Sequence, residues 1–212
     1  DGTVVPCEEK YTTGMQLQKE LDVESDALDD NYTPYQIEFP LDAGCRKKIS
    51  IVCTIEDAYE KDAFATAAAE MARFDALEKK AGYHDELAET LTIAADHFLA
   101  YRQSTGLMTV LAGLPWFTDW GRDTMIALTG LTLATGRYQD ARDILTTFAR
   151  YVHHGMVPNM FPDEGTAPLY NTADASMWYF YAVGKYLDYT GTPEDYAFVQ
   201  ETIYPKLKEI IA

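Results

Sequence analysis

The sequence predicts a mainly α-helical chain with a β segment at its start. Three observations carry that expectation. Up to about residue 56 the apolar residues alternate and β-branched types gather. Beyond residue 57 the texture turns Ala-rich and the apolar residues recur at helical spacing. From there on the helical stretches end in glycine, and long loops rich in Pro and aromatics separate them.

The elements follow in order. Residues 32–39 place Tyr35, Ile37 and Phe39 on alternate positions, and residues 49–55 (ISIVCTI) are β-branched; Ala43-Gly44 marks a turn between these two expected strands. Residues 20–30 hold six carboxylates and no base, but without the central Gly of a calcium loop they read as a solvated loop or edge strand. Residues 58–80 predict a long exposed helix ending near Gly82. Residues 85–102 carry Leu87, Leu91, Ala94, Ala95, Phe98 and Leu99 as a helical stripe. A loop is expected over 103–120, then helices over 123–135, 138–153 and 173–189, which stop at Gly136, Gly155 and Gly191. Thr192-Pro193-Glu194-Asp195 is a helix start, with a cap, Pro at the first position and acids in the first turn. The similar endings at Gly136 and Gly191 suggest stacked αα-hairpins, with tight turns on one side and functional loops on the other.

Composition narrows the function. At 212 residues and 47% hydrophobic content the chain can bury a core. A net charge of −17 repels nucleic acid phosphates and anionic lipid, so neither is expected as a partner. Cys7, Cys45 and Cys53 form no CxxC pair, and the four histidines show no HExxH spacing. Neither a disulfide framework nor a metal site is expected, and a reducing cytoplasm is favoured. No apolar run reaches membrane length and no signal peptide is seen. The chain starts at Asp1, so it is read as a piece from which a leader could have been removed.

Two stretches carry chemistry. Trp116-Phe117-Thr118-Asp119-Trp120-Gly121-Arg122-Asp123 and Tyr170-Asn171-Thr172-Ala173-Asp174-Ala175 each place aromatics, an amide or guanidinium, and a carboxylate where a loop enters a helix. Aromatic faces pack on the C–H faces of a pyranose, and Arg, Asn and Asp bind hydroxyls in fork-like pairs. A carboxylate in such a place can also move a proton. Carbohydrate chemistry is the expectation, without a cofactor. Purely structural roles compete. Asp123 has the position of an N-cap, Asn171 and Asp174 have capping-box spacing, and His153-His154 suit a helix C-terminus. A helix start also favours an ionised Asp174, whereas a general acid needs a raised pKa. The aromatics Trp178, Tyr179, Phe180 and Tyr181 could wall such a site or belong to the core. Asn159 lies in a long loop where it could bind hydroxyls.

Residues 112–128 (AGLPWFTDWGRDTMIAL), 133–138, 154–159 (HGMVPN) and 170–175 (YNTADA) closely resemble the start of the catalytic domain of glycogen debranching enzymes of the amylo-α-1,6-glucosidase type. The resemblance covers about residues 90–190. It implies an (α/α)6 toroid, of which about five helices are present, preceded by the end of a β-sandwich. The implied division is 1–56 for the sandwich, 57–84 for a linker helix and 85–212 for the toroid. It also implies that Asp174 is the general acid, that Trp120, Gly121, Arg122 and Asp123 form a glucose-binding motif, and that the substrate is glycogen or a branched α-glucan; Trp116, Asn159 and Asn171 are read from their residue types as further substrate-binding residues. Inversion requires a second carboxylate, which the family supplies late in the toroid, beyond Ala212. On that reading residues 1–212 alone are inactive, and they self-associate or pair with the remainder of the enzyme. The alternatives are a toroid glucosidase acting on another α-glucoside and a non-catalytic glycan-binding or scaffold module.

Overall fold

The computed structural model describes residues 2–22, 26–55, 57–114, 117–161 and 167–212, without the side chains of residues 6–10 and 34. It is mainly helical and divides into two compact units, Asp1–Ala63 and Phe64–Ala212.

The first unit is an antiparallel ribbon of β1 (Thr3–Gln16) and β2 (Leu28–Glu38), with the short helix α1 (Gln18–Asp22) between them. The pairing runs from Thr3 opposite Glu38 to Gln16 opposite Leu28, with irregularities at Pro6/Lys10 and Thr12/Met15. Tyr11 and Tyr32 face each other across the ribbon with ring centroids 4.9 Å apart, as directly opposed side chains do. The expected strand over 32–39 is therefore real but begins earlier. The acidic stretch contributes the end of α1 and the start of β2; its residues 23–25 lie outside the described residues. The expected strand over 49–55 is not formed. Those residues have strand propensity, but the only ladder of this unit among the described residues is β1–β2, and a strand needs a partner for its N–H and C=O groups.

The second unit opens with α2 (Ala63–Ala81), which has no buried residue and ends at Gly82 in the left-handed region (φ 74°). Next is α3 (Glu86–Asp96), capped by the Asp85 carboxylate, which accepts from the Ala88 N–H at 3.0 Å. The helix expected over 85–102 stops at Asp96. Beyond it β3 (Leu99–Arg102) pairs antiparallel with β4 (Leu107–Val110), so the expected loop over 103–120 contains a hairpin strand. Then come α4 (Gly121–Leu128), continued by a π-helical turn over Thr129–Leu133, α5 (Tyr138–Tyr151) and α6 (Asp174–Tyr189). The last stretch is α7 (Pro193–Phe198), a second π-helical turn over Val199–Ile203, and α8 (Tyr204–Ile211).

The core lies where α4, α5 and α6 meet. In α5 Ala141, Ile144, Leu145 and Phe148 recur on one stripe and are fully buried. Burying an aliphatic or aromatic side chain of this size stabilises by about 1.5–3 kcal/mol. Met125 and Leu128 of α4 and Tyr179 and Ala182 of α6 complete the cluster. The Tyr179 hydroxyl donates to the Leu145 carbonyl at 2.8 Å, which satisfies its polar end inside the core. Tyr179 is thus core rather than site wall, while Tyr181 of the same aromatic run is exposed. The start of α7 is a full capping box: Thr192 Oγ1 accepts from the Asp195 N–H, and the Asp195 carboxylate accepts from the Thr192 N–H.

Helices α4 and α6 run side by side in the same direction. Their first turns meet through Arg122 and Asp174, and the π-helical turn that continues α4 also packs against α6. Gly136 and Gly191, both in the left-handed region, follow their far ends. The loops that precede the two helices therefore share one end of the helical layer, and the glycine turns share the other.

Candidate active site

The site is built on those two helix starts. Arg122 Nε donates to Asp174 Oδ2 at 2.6 Å and Arg122 Nη2 to Asp174 Oδ1 at 3.0 Å, a two-bond fork between side chains each 46% exposed. Asp174 is the first residue of α6, behind Ala173 at the cap position, so no capping box with Asn171 forms. Arg122 holds the Asp174 carboxyl below the usual carboxylate range, and backbone amides at the helix start act in the same direction. Asp174 is therefore ionised in this geometry.

Asp123 is not a cap either. The N-cap of α4 is Trp120, and Asp123 sits exposed in the first turn, where its carboxylate accepts no hydrogen bond among the described residues. Asp123 and Arg122 line a pocket of about 270 Å³ with Ala112, Phe117 and Trp120. Phe117 stands edge-on to the Trp120 ring at 6.1 Å, which gives the pocket an aromatic wall. Trp116 lies outside the described residues. Asn171 is exposed in the loop before α6.

Asn159 is 4% exposed, and its Oδ1 has no partner among the described residues. Its backbone is engaged on both sides: the carbonyl accepts from Gly121 N at 2.7 Å, and the amide donates to the Leu169 carbonyl at 2.7 Å. The structure thus sets Trp120, Arg122 and Asp123 around one pocket, holds Asp174 on Arg122 outside that lining, and bonds the Asn159 backbone to Gly121. His153 and His154 are exposed just past α5, and the His154 backbone adopts φ 50°.

One functional neighbour escapes a reading of the sequence alone. Asp119 lies inside the Trp-rich stretch yet is 1% exposed. Arg102 of β3 donates to it twice, at 2.7 and 2.5 Å, and Thr109 of β4 donates at 2.9 Å. Arg102 also donates to the Phe161 carbonyl at 3.2 Å. This knot ties the aromatic loop to the hairpin and to residue 161. Only the acid's place between aromatics hinted at burial; its partner lies 17 positions back in sequence.

Two helix starts thus present a guanidinium, two carboxylates and an aromatic wall on a helical core. Residues 93–212 match the family model of amylo-α-1,6-glucosidase, and the chain belongs to that family. It is 33% identical over 110 residues to the glycogen debranching enzyme of Saccharomyces cerevisiae (strain ATCC 204508 / S288c), a match that covers 47% of this chain and 7% of that relative. The chain therefore spans a small part of the length of the curated relative it matches.

Proposed function

We propose that residues 85–212 form the opening part of an (α/α)6 toroid that hydrolyses α-1,6-linked glucose branches of glycogen with inversion of configuration. In this reading residues 1–56 close a preceding β-sandwich, 57–84 link the two, and the protein works in the cytoplasm without a cofactor. The observation that carries it is the meeting of Arg122, Asp123 and Asp174 beside the Phe117–Trp120 wall.

Asp174 is the general acid and protonates the departing glycosidic oxygen. A second carboxylate, which the family resemblance puts outside residues 1–212, activates a water on the opposite face of the sugar, roughly 6.5–9.5 Å away. Arg122 opposes the acid role while it holds Asp174 ionised. Sugar hydroxyls that take over Arg122's hydrogen bonds, together with burial of Asp174 under the sugar and the second carboxylate, raise its pKa towards the working range. Trp116 and Trp120 stack on the sugar; Asp123, Arg122, Asn159 and Asn171 serve hydroxyl recognition. Residues 1–212 alone, without the base, do not hydrolyse glucan and associate with themselves or with the rest of the enzyme.

The test is Asp174→Asn in the full-length protein, assayed on a 6-O-glucosyl maltooligosaccharide with trehalose as the comparison. Turnover falls about 10²–10⁴-fold with glucan affinity nearly intact, whereas Asp123→Asn weakens binding as well. Near-normal turnover in Asp174→Asn removes the acid assignment. A second reading, a non-catalytic glycan-binding module, is favoured by the ionised state of Asp174, which suits a hydrogen-bond acceptor. Absence of hydrolysis by the full-length protein, with retained glucan binding, would select it.

A further inference from the structure

An ion pair between half-exposed side chains holds two helices in register only weakly, and at the first turns the direct packing of α4 on α6 is joined by a second tie beneath the pair. Residues 157–159 lie there. Gly121 N, one residue before Arg122, donates to the Asn159 carbonyl at 2.7 Å. Val157 N donates to Ser176 Oγ, two residues after Asp174, at 3.0 Å. Val157, Asn159 and Ser176 are all buried, at 0%, 4% and 3% exposure. A buried N–H keeps its acceptor because losing it strands the donor away from water. Gly121 also packs so closely that a Cβ there would stand 2.1 Å from the Pro158 carbonyl oxygen. Pro158, with fixed φ and no N–H, stiffens the middle of the segment. The segment is fastened from behind as well, since Asn159 N donates to the Leu169 carbonyl and Leu169 N donates to the Met160 carbonyl at 3.0 Å.

The geometry points to Ser176 and Gly121 as positioning residues: through residues 157–159, a short rigid spacer touched by each, they set how far Asp174 stands from Arg122 and from where it delivers its proton. This rests on the reading of Asp174 as the general acid. Neither residue touches the pocket; each acts through the start of its own helix. Reacting groups displaced by about 1 Å can lose about 10²-fold in rate, so a spacer of this kind acts on turnover before it acts on binding.

The test is made in the full-length protein on the same branched oligosaccharide. Ser176→Ala, which removes the acceptor of Val157 N–H, lowers kcat about 10- to 100-fold with KM nearly unchanged. Ser176→Thr, which keeps the hydroxyl, recovers most of it. Gly121→Ala gives the same split between kcat and KM from the α4 side. In Ser176→Ala the looser hold of Arg122 also lets the Asp174 carboxyl of the free enzyme rise towards its ordinary value, so the alkaline limb of the kcat/KM profile moves to higher pH. Ile144→Val, a core change on α5 away from the spacer, lowers Tm without changing kcat and marks what a stability effect alone looks like. Wild-type kcat and pH profile in both Ser176→Ala and Gly121→Ala, with Asp174→Asn inactive, would overturn the spacer. So would a loss of kcat that Ser176→Thr does not relieve. Full turnover in Asp174→Asn would instead overturn the acid assignment, and the spacer with it.

Discussion

Two Arg–Asp pairs each take one member, Asp119 or Arg122, from the same loop-to-helix stretch, and their surroundings are opposite. Arg102–Asp119 is buried, with side chains 14% and 1% exposed, and Thr109 and the Phe161 carbonyl complete its hydrogen bonding. Arg122–Asp174 is open, with both side chains 46% exposed. The residue types and the fork-like contact are the same; only the surroundings differ. A sealed pair cannot exchange partners, because breaking it leaves a charge away from water. An open pair exchanges readily, since water or a sugar hydroxyl can replace either bond. The aromatic loop therefore uses its first carboxylate to fix its own shape and leaves the neighbouring guanidinium half-exposed.

That contrast can be broken most sharply at Asp119. Asp119→Ala strands the Arg102 guanidinium and is expected to destabilise the protein by about 3–5 kcal/mol, read by chemical denaturation. A loss no larger than that of a surface substitution would erase the difference between the pairs. Acid titration gives a middle case at Asp96, which is 8% exposed and bound by Arg73 and Arg137. Burial pulls its pKa up, but the two guanidiniums outweigh it and hold the carboxyl below its ordinary value. The stabilisation is therefore complete above the ordinary carboxylate pKa and is lost as pH falls through the depressed one. Asp96→Asn should flatten the acid limb of the stability profile, and an unchanged limb would mean that the ion pairs do not form in solution. The smallest effect belongs to Arg122→Ala, for which no measurable change in unfolding midpoint is expected. Added salt should weaken Arg122–Asp174 and leave Arg102–Asp119 intact, which NMR of the two arginine side chains can follow.

The same contrast explains what could be read from the sequence. Helix ends were legible where the chemistry is local: Thr192-Pro193 caps α7, and Gly136 and Gly191 adopt the left-handed turns their positions require. The site residues around Arg122 and Asp174 were legible as residue types at loop-to-helix junctions. Their pairing was not, because it joins positions 52 apart. Asp123 and Asn171 suited capping by spacing, yet the helices begin at Gly121 and Asp174, set by tertiary packing. The hairpin over 99–110 was hidden because Phe98 and Leu99 continue the apolar spacing of α3, and two four-residue strands are too short to show a period of their own. Ile49–Ile55 shows the converse: strong strand propensity forms no strand without a neighbour to pair with.

The π-helical turn at Thr129–Leu133 has a further consequence. Its i→i−5 bond, from Ala134 N to the Thr129 carbonyl at 2.9 Å, accommodates one residue more than an α-helical turn would. One residue is about 100° of azimuth on an α-helix. The turn therefore acts as a phase shifter. It leaves the Arg122 end facing the pocket, and it sets the angle at which the Gly136 turn leads into α5. Deleting the exposed Gly130 would let the turn close as an α-helix with the residues on either side kept in phase, whereas α-helical bonding with all five residues retained would swing everything past it by that angle relative to the pocket.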